Sequence, residues 1–209
     1  MELMSRVRAF IDGQYRTPKG LIGAYIGEKM VWQHKPETLW TIDLLNIQLG
    51  EHILELGCGS GYAMKLILEK NEAEKVVGLD LSPAVIRSAA IRNKKALKDE
   101  KAKLIHGNVN SLPFEDEQFE KVFSIHTIYF WDELSASVSE IFRVLKPGGA
   151  CVITLCNGKN EEKWEGIDNL IDNQLIPLMK DNGFLEVALI EGPNSRQFHT
   201  VAVSAKKRI

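Results

Sequence analysis

Short runs of β-branched and aliphatic residues alternate along this chain with longer stretches of helical spacing. The runs fall at His52–Leu56, Lys75–Leu79, Lys103–His106, Lys121–Ile125 and Ala150–Leu155. Between most of them, at Tyr62–Lys70, Pro83–Leu97 and Leu134–Leu145, the pattern reads as helix. Strands alternating with helices predict an α/β fold: a doubly wound parallel sheet with helices on both faces. Val76-Val77-Gly78-Leu79 and Cys151-Val152-Ile153-Thr154-Leu155 are apolar enough to be central strands covered on both sides. Upstream, Pro36 suits a first helical turn, Thr38–Leu45 has helical spacing, and Gly50 is the expected end of that helix. The last third changes character. A helix near Lys163–Lys180 precedes Gly183–Ile190 and Phe198–Ala205, which flank Gly192-Pro193-Asn194 and predict an antiparallel hairpin. Residues 1–35 carry weak periodicity, four glycines (Gly20, Gly23 and Gly27 among them) and several aromatics, and are expected to be irregular or short-helical against a single domain spanning 36–209.

Composition narrows the functional classes. The chain has 209 residues, 44% hydrophobic and 26% charged, which suits one compact domain with a sizeable core. A formal net charge of -2 gives no field that would draw nucleic acid or an anionic membrane. Three cysteines with no C-x-x-C spacing read as reduced thiols in a cytoplasmic protein. The N-terminus lacks a signal-peptide pattern, and no apolar run approaches the roughly 20 residues that span a bilayer. A soluble, cytoplasmic monomer or homodimer is expected.

The densest chemical signal is Glu55-Leu56-Gly57-Cys58-Gly59-Ser60-Gly61, between a strand and a helix. Glycines at such a turn let a nucleotide-like ligand approach bare backbone. A dinucleotide fingerprint would need a further glycine at Tyr62 or Met64, and no phosphate-loop motif is present. Glu55 selects among the remaining ligands. A carboxylate beside phosphates repels, whereas it attracts the cationic end of S-adenosylmethionine (SAM). Cys58 sits in this loop as a small residue rather than a nucleophile. Asp80 ends the second strand about 20 residues further on, where a carboxylate accepts hydrogen bonds from both ribose hydroxyls. Leu81 beside it can cover an adenine face. After the third strand, Asn108 and Val109 can meet the adenine edge, although Gly107-Asn108 also reads as a plain turn.

These motifs, with Leu112-Pro113-Phe114 and Arg143-Val144-Leu145-Lys146-Pro147-Gly148-Gly149, resemble the class I SAM-dependent methyltransferases, closest to the type 11 group that includes quinone-biosynthesis C-methyltransferases. The resemblance covers about residues 35–209. It implies a Rossmann-like seven-stranded sheet, mostly parallel, with the last strand antiparallel. It also implies SAM as cofactor and S-adenosylhomocysteine as product. By the same carry-over Glu55, Gly57 and Gly59 border the methionine part, Asp80 the ribose, and Asn108 and Val109 the adenine; Cys58, Gly61, Leu81 and His126 complete the expected cofactor site. The family usually has Asp where this chain has Asn108, which keeps an acceptor oxygen. N-terminal extensions in the family commonly act as lids, which makes Tyr15 and Tyr25 lid residues here.

After the fourth strand the chain runs His126-Thr127-Ile128-Tyr129-Phe130-Trp131. His126 borders the sulfonium, and His126 or Tyr129 can orient or deprotonate an acceptor. Trp131 can line the acceptor pocket, and electron-rich rings can favour the sulfonium. Packing roles for Phe130 and Trp131, and a structural hydrogen bond for His126, are the alternatives. His34, His52 and His199 show no metal-ligand spacing, so no metal is expected. A SAM-dependent methyltransferase acting on a small molecule, without nucleic-acid or membrane partners, is the function this reading supports. An RNA or protein methyltransferase and a non-catalytic SAM-binding module are its alternatives.

Overall fold

The computed structural model describes Val31, residues 33–70 and residues 72–209. Helix α1 (Lys35–Leu45) leads into β1 (His52–Leu56), α2 (Tyr62–Lys70), β2 (Lys75–Asp80), α3 (Pro83–Arg92), α4 (Lys94–Lys98) and β3 (Ala102–His106). Then follow β4 (Phe119–Ile125), a 3-10 turn (Ile128–Phe130), α5 (Leu134–Val144), β5 (Leu145–Lys159) and the two-residue β6 (Glu162–Lys163). Helix α6 (Glu165–Leu170), a π-helical turn (Ile171–Leu175), α7 (Ile176–Asp181), β7 (Phe184–Glu191) and β8 (Phe198–Lys207) complete the chain.

The strands form one sheet in the order β3-β2-β1-β4-β5-β8-β7, with β6 pairing β5 off this path. From β3 through β5 all pairings are parallel, whereas β8 runs antiparallel to both β5 and β7. The expected doubly wound sheet and terminal hairpin are therefore both present. The pleat sends alternate residues to opposite faces. Leu54, Leu56, Val77, Leu79, Val122, Ile153 and Val203 point into one core, closed by Val138, Ile141 and Val144 of α5 and by Leu175 and Met179. Ile53, Val76, Phe123, Val152 and Ala202 point into the other, closed by Ile42 and Leu45 of α1 and Met64 and Ile67 of α2.

Several boundaries differ from the sequence expectation, each for a physical reason. Helix α1 stops at Leu45 because Asn46 takes the left-handed conformation (φ 46°), ahead of Gly50. The helix expected over Pro83–Leu97 divides at Asn93, a buried residue whose side-chain amide donates to the carbonyls of Gly61 and Ala89. The expected single helix over Lys163–Lys180 contains a π-helical turn just before Pro177, whose ring nitrogen cannot donate to the preceding turn.

Two sequence motifs far apart in the chain meet in the fold. The Arg143 guanidinium donates to the carbonyls of Leu112 (3.0 Å) and Phe114 (2.7 Å), while Glu140 accepts from the Leu112 N–H at 2.6 Å. Helix α5 thereby clamps the loop that follows β3. The two glycines after Arg143 serve different purposes: Gly148 supplies a left-handed backbone (φ 77°), and Gly149 a close backbone approach. A Cβ on Gly149 would lie 2.8 Å from the Lys146 carbonyl oxygen and 2.9 Å from that of Glu120.

Candidate active site

Strand order reverses at β1, which has β2 and β3 on one side and β4 on the other. In an open α/β sheet a crevice forms at that switch point, outside the carboxyl ends of the strands. The ends of β1, β2, β3 and β4 deliver Glu55 and Gly57, Asp80, Gly107 and Asn108, and His126 to a common cavity.

The three loop glycines perform different jobs. A Cβ on Gly57 would stand 2.3 Å from Thr127 Cγ2, so glycine here lets the β1 turn approach the loop after β4. A Cβ on Gly61 would meet Asn93 Nδ2 at 2.6 Å and Ala89 Cβ at 2.9 Å, so this residue serves the packing of α2 against α3. Gly61 does not line the cavity, unlike Gly57, Cys58 and Gly59. Gly59 has open space around it and is required instead by its left-handed backbone, φ 52°. Its N–H donates to Asp80 Oδ2 at 2.9 Å, and the N–H of Ser82 donates to Oδ1 at 2.8 Å. Asp80 is thus fastened to both the glycine loop and the start of α3. Burial raises its carboxyl above the ordinary range, and the backbone donors oppose that rise.

Glu55 lies deeper, only 4% exposed, and its Oε2 has no hydrogen-bond partner among the described residues. Burial and the neighbouring Asp80 push its carboxyl well above the usual range, and the Met64 N–H counters them only in part. A buried acid with an orphaned oxygen calls for a cation. The ammonium and sulfonium of SAM fit that requirement. The phosphates of a dinucleotide do not. Burial also pushes the Cys58 thiol well up, reinforced by the charges of Glu55 and Asp80, so it remains protonated and non-nucleophilic.

Leu81, Asn108 and Val109 also line the cavity, with Leu81 47% exposed. Asn108 Oδ1 also accepts from the Asn110 N–H at 3.1 Å, so the residue both shapes its turn and faces the cavity. His34, His126, Phe130 and Trp131 complete the ring-bearing part of the lining. His126 adopts a left-handed backbone (φ 56°), with its N–H donating to the Thr154 carbonyl at 2.8 Å. Burial and the adjacent His34 push its imidazole down to about 3, against the pull of Glu37, so the ring is neutral. Trp131 is held by Nε1 donating to Thr127 Oγ1 at 3.2 Å.

Tyr129 departs from expectation. It does not line the cavity; its hydroxyl accepts from the Cys156 N–H at 2.6 Å and donates to the Cys156 carbonyl at 3.0 Å. The phenol ties the 3-10 turn to β5, and burial raises it above its ordinary value. The lid expectation for Tyr15 and Tyr25 lies outside the described residues. His34 and Glu37 carry no motif, and His34 reads as isolated in the sequence. The i, i+3 spacing of the two at a helix start is the available signal. Nothing in the sequence pairs either with His126, whose ring lies 4.4 Å from that of His34.

A switch-point crevice with this donor set defines a class of protein, the Rossmann-like transferases that bind a cationic nucleoside. Comparisons with known proteins agree. The family described as "Methyltransferase domain" matches residues 54–153. The uncharacterized methyltransferase YdaC of Bacillus subtilis is 30% identical over 187 residues, covering 90% of this chain and 98% of that protein. The demethylmenaquinone methyltransferase of Oceanobacillus iheyensis is 32% identical over 124 residues, covering 57% of this chain and 50% of that one. Among solved structures, the geranyl diphosphate C-methyltransferase of Streptomyces coelicolor, with S-adenosylhomocysteine bound, superposes with a TM-score of 0.68 at 18% identity, covering 83% of this chain and 76% of that chain. The chain belongs to the type 11 group of class I methyltransferases, and is a SAM-dependent enzyme. Among the described residues no helix is long and apolar enough to cross a membrane.

Proposed function

We propose that this enzyme methylates a small-molecule acceptor seated at the His34–His126–Phe130–Trp131 end of the cavity. The carrying observation is continuity: Leu81 and Asn108, Glu55 and Asp80, and His34, His126, Phe130 and Trp131 all line one cavity. The slightly acidic net charge supports a small molecule over RNA. The Oceanobacillus relative is itself named for a quinone-type acceptor.

SAM supplies a methyl group on a sulfonium that departs as a neutral thioether, so alignment and exclusion of water are what the protein must provide. In this reading Glu55 Oε2 accepts from the ammonium end. The lone pairs of Asp80 left free by Gly59 and Ser82 accept from the ribose hydroxyls. Leu81 lies on an adenine face, with Asn108 and Val109 along its edge. His126, fixed by its backbone bond to Thr154, and Trp131, fixed by Thr127, border the transferring methyl and hold the acceptor in line. Holding two reactants in that geometry is worth on the order of 7–11 kcal/mol relative to a bimolecular encounter. Incubation with methyl-labelled SAM and a metabolite extract tests the proposal: label is expected in a low-molecular-weight product. Label in RNA or protein alone would overturn the acceptor class. SAM binding without S-adenosylhomocysteine formation across a broad metabolite panel would favour a non-catalytic module.

A further inference from the structure

At the acceptor end of the cavity three potential ligands converge from two elements. His34 and Glu37 lie at the start of α1, and His126 follows β4; their nitrogen and carboxylate ligand atoms all lie within 4.8 Å of one another. Glu37 is fully buried, and among the described residues neither of its carboxylate oxygens has a hydrogen-bond partner. The Nε2 of His126 is buried and equally unpartnered among the described residues. His34 Nδ1 stands 3.7 Å from Glu37 Oε1, which is beyond hydrogen-bond length. Orphaned buried acceptors are rare, and several directed at one point indicate a seat for a positive centre. The left-handed backbone of His126 adds a second sign. Such strain in a non-glycine residue persists where the surroundings impose it, and it concentrates at functional sites.

We propose that His34, Glu37 and His126 bind a first-row divalent metal ion such as Zn2+, Fe2+ or Mn2+. Two imidazoles and one carboxylate form a donor set suited to these ions rather than to Ca2+ or Mg2+. Ligands about 2.0–2.2 Å from such an ion lie roughly 3–4.4 Å from each other, so the cluster needs only a small contraction. Three protein ligands leave coordination positions open, and His34 and His126 both line the cavity. Those positions suit an acceptor that carries an oxygen or sulfur donor.

One charged neighbour competes with the ion. The Arg196 guanidinium is 3.8 Å from Glu37 Oε1 and 3.4 Å from His34 Nδ1, with its side chain 38% exposed. It supplies part of the positive charge the cluster calls for, and its exposure gives it room to swing into solvent when a dication arrives. This competition makes the site distinguishable from a purely structural ion pair.

The test is Co2+ titration of the full chain followed by visible absorption, with Zn2+ displacement measured against a chromophoric chelator. One equivalent is expected to bind with imidazole–carboxylate ligand-field bands. His34→Ala should lose at least tenfold in affinity, and His126→Ala likewise. Arg196→Ala should bind the metal more tightly than wild type. S-adenosylhomocysteine affinity, measured on the His34→Ala and Arg196→Ala variants, reports that the donor site is folded; an unchanged melting temperature does so for His126→Ala, and both keep this test separate from the acceptor proposal. The inference is overturned if wild-type protein that binds S-adenosylhomocysteine takes up no stoichiometric metal. It is also overturned if uptake is indifferent to both histidine substitutions, or if Arg196→Ala weakens it.

Discussion

Burial beside Asp80 imposes an electrostatic cost on Glu55. Its carboxyl in the ligand-free protein is pushed well above the ordinary 4.5, so the folded chain holds that proton more tightly than the unfolded chain does. The corresponding stability is complete below pH 4.5 and declines as pH rises through the folded-state value. Glu55→Gln removes the titration. Thermal melts from pH 5 to 9 should show the variant gaining on wild type toward alkaline pH. Its SAM affinity should fall roughly 10- to 100-fold, the equivalent of about 1.5–3 kcal/mol for a hydrogen bond to a charged group. Asp80→Ala should weaken SAM by a similar amount, and it should also destabilise the ligand-free protein, because Gly59 and Ser82 lose their acceptor. Calorimetric titration beside a denaturation curve separates the two effects. Both acids are legible in the sequence because they sit at fixed offsets from the glycines. Tyr129 and His34 are not, since their partners, Cys156 and His126, are set by the fold rather than by spacing.

Among elements, the glycine loop offers a contrast between two neighbouring glycines. Gly61→Ala drives a methyl into Asn93 and Ala89 at the α2–α3 contact. Overpacking of this kind costs about 1–3 kcal/mol, a drop of roughly 3–10 °C in melting temperature for a chain of this length. Gly59→Ala meets open space, and strains only the backbone that presents an N–H to Asp80. It should lower SAM affinity more than stability, with Gly61→Ala doing the reverse; differential scanning fluorimetry and SAM titration on both variants check this. Strand positions, the hairpin and most helices are readable from apolar periodicity. The helix break at Asn93 is hidden because the side chain's partner, the Gly61 carbonyl, is 32 residues upstream. The early end of α1 is hidden because Asn46, not the more obvious Gly50, takes the left-handed turn at that end.

For the whole molecule, cofactor binding and protonation are one equilibrium. If the SAM ammonium sits at Glu55 as proposed, it favours the carboxylate, so SAM binding should release protons below the raised ligand-free value of that carboxyl and tighten as pH rises toward it. Binding heats measured in buffers of different ionisation enthalpy read this release directly. SAM at 100 times its Kd should add about 2.7 kcal/mol of stability. The sheet architecture is legible at this scale because helix–strand alternation leaves few topologies. The acceptor end is less so, because it is assembled from α1 and the loop after β4. The placement of β8 between β5 and β7 has a consequence for biosynthesis. Translation at roughly 5–20 residues per second places Phe198 several seconds behind Lys159. Through that interval one side of β5, with Cys151, Val152, Ile153 and Leu155, is an unpaired apolar margin on the nascent chain. Chaperone engagement, or aggregation when synthesis stalls between those two points, should therefore concentrate on this strand.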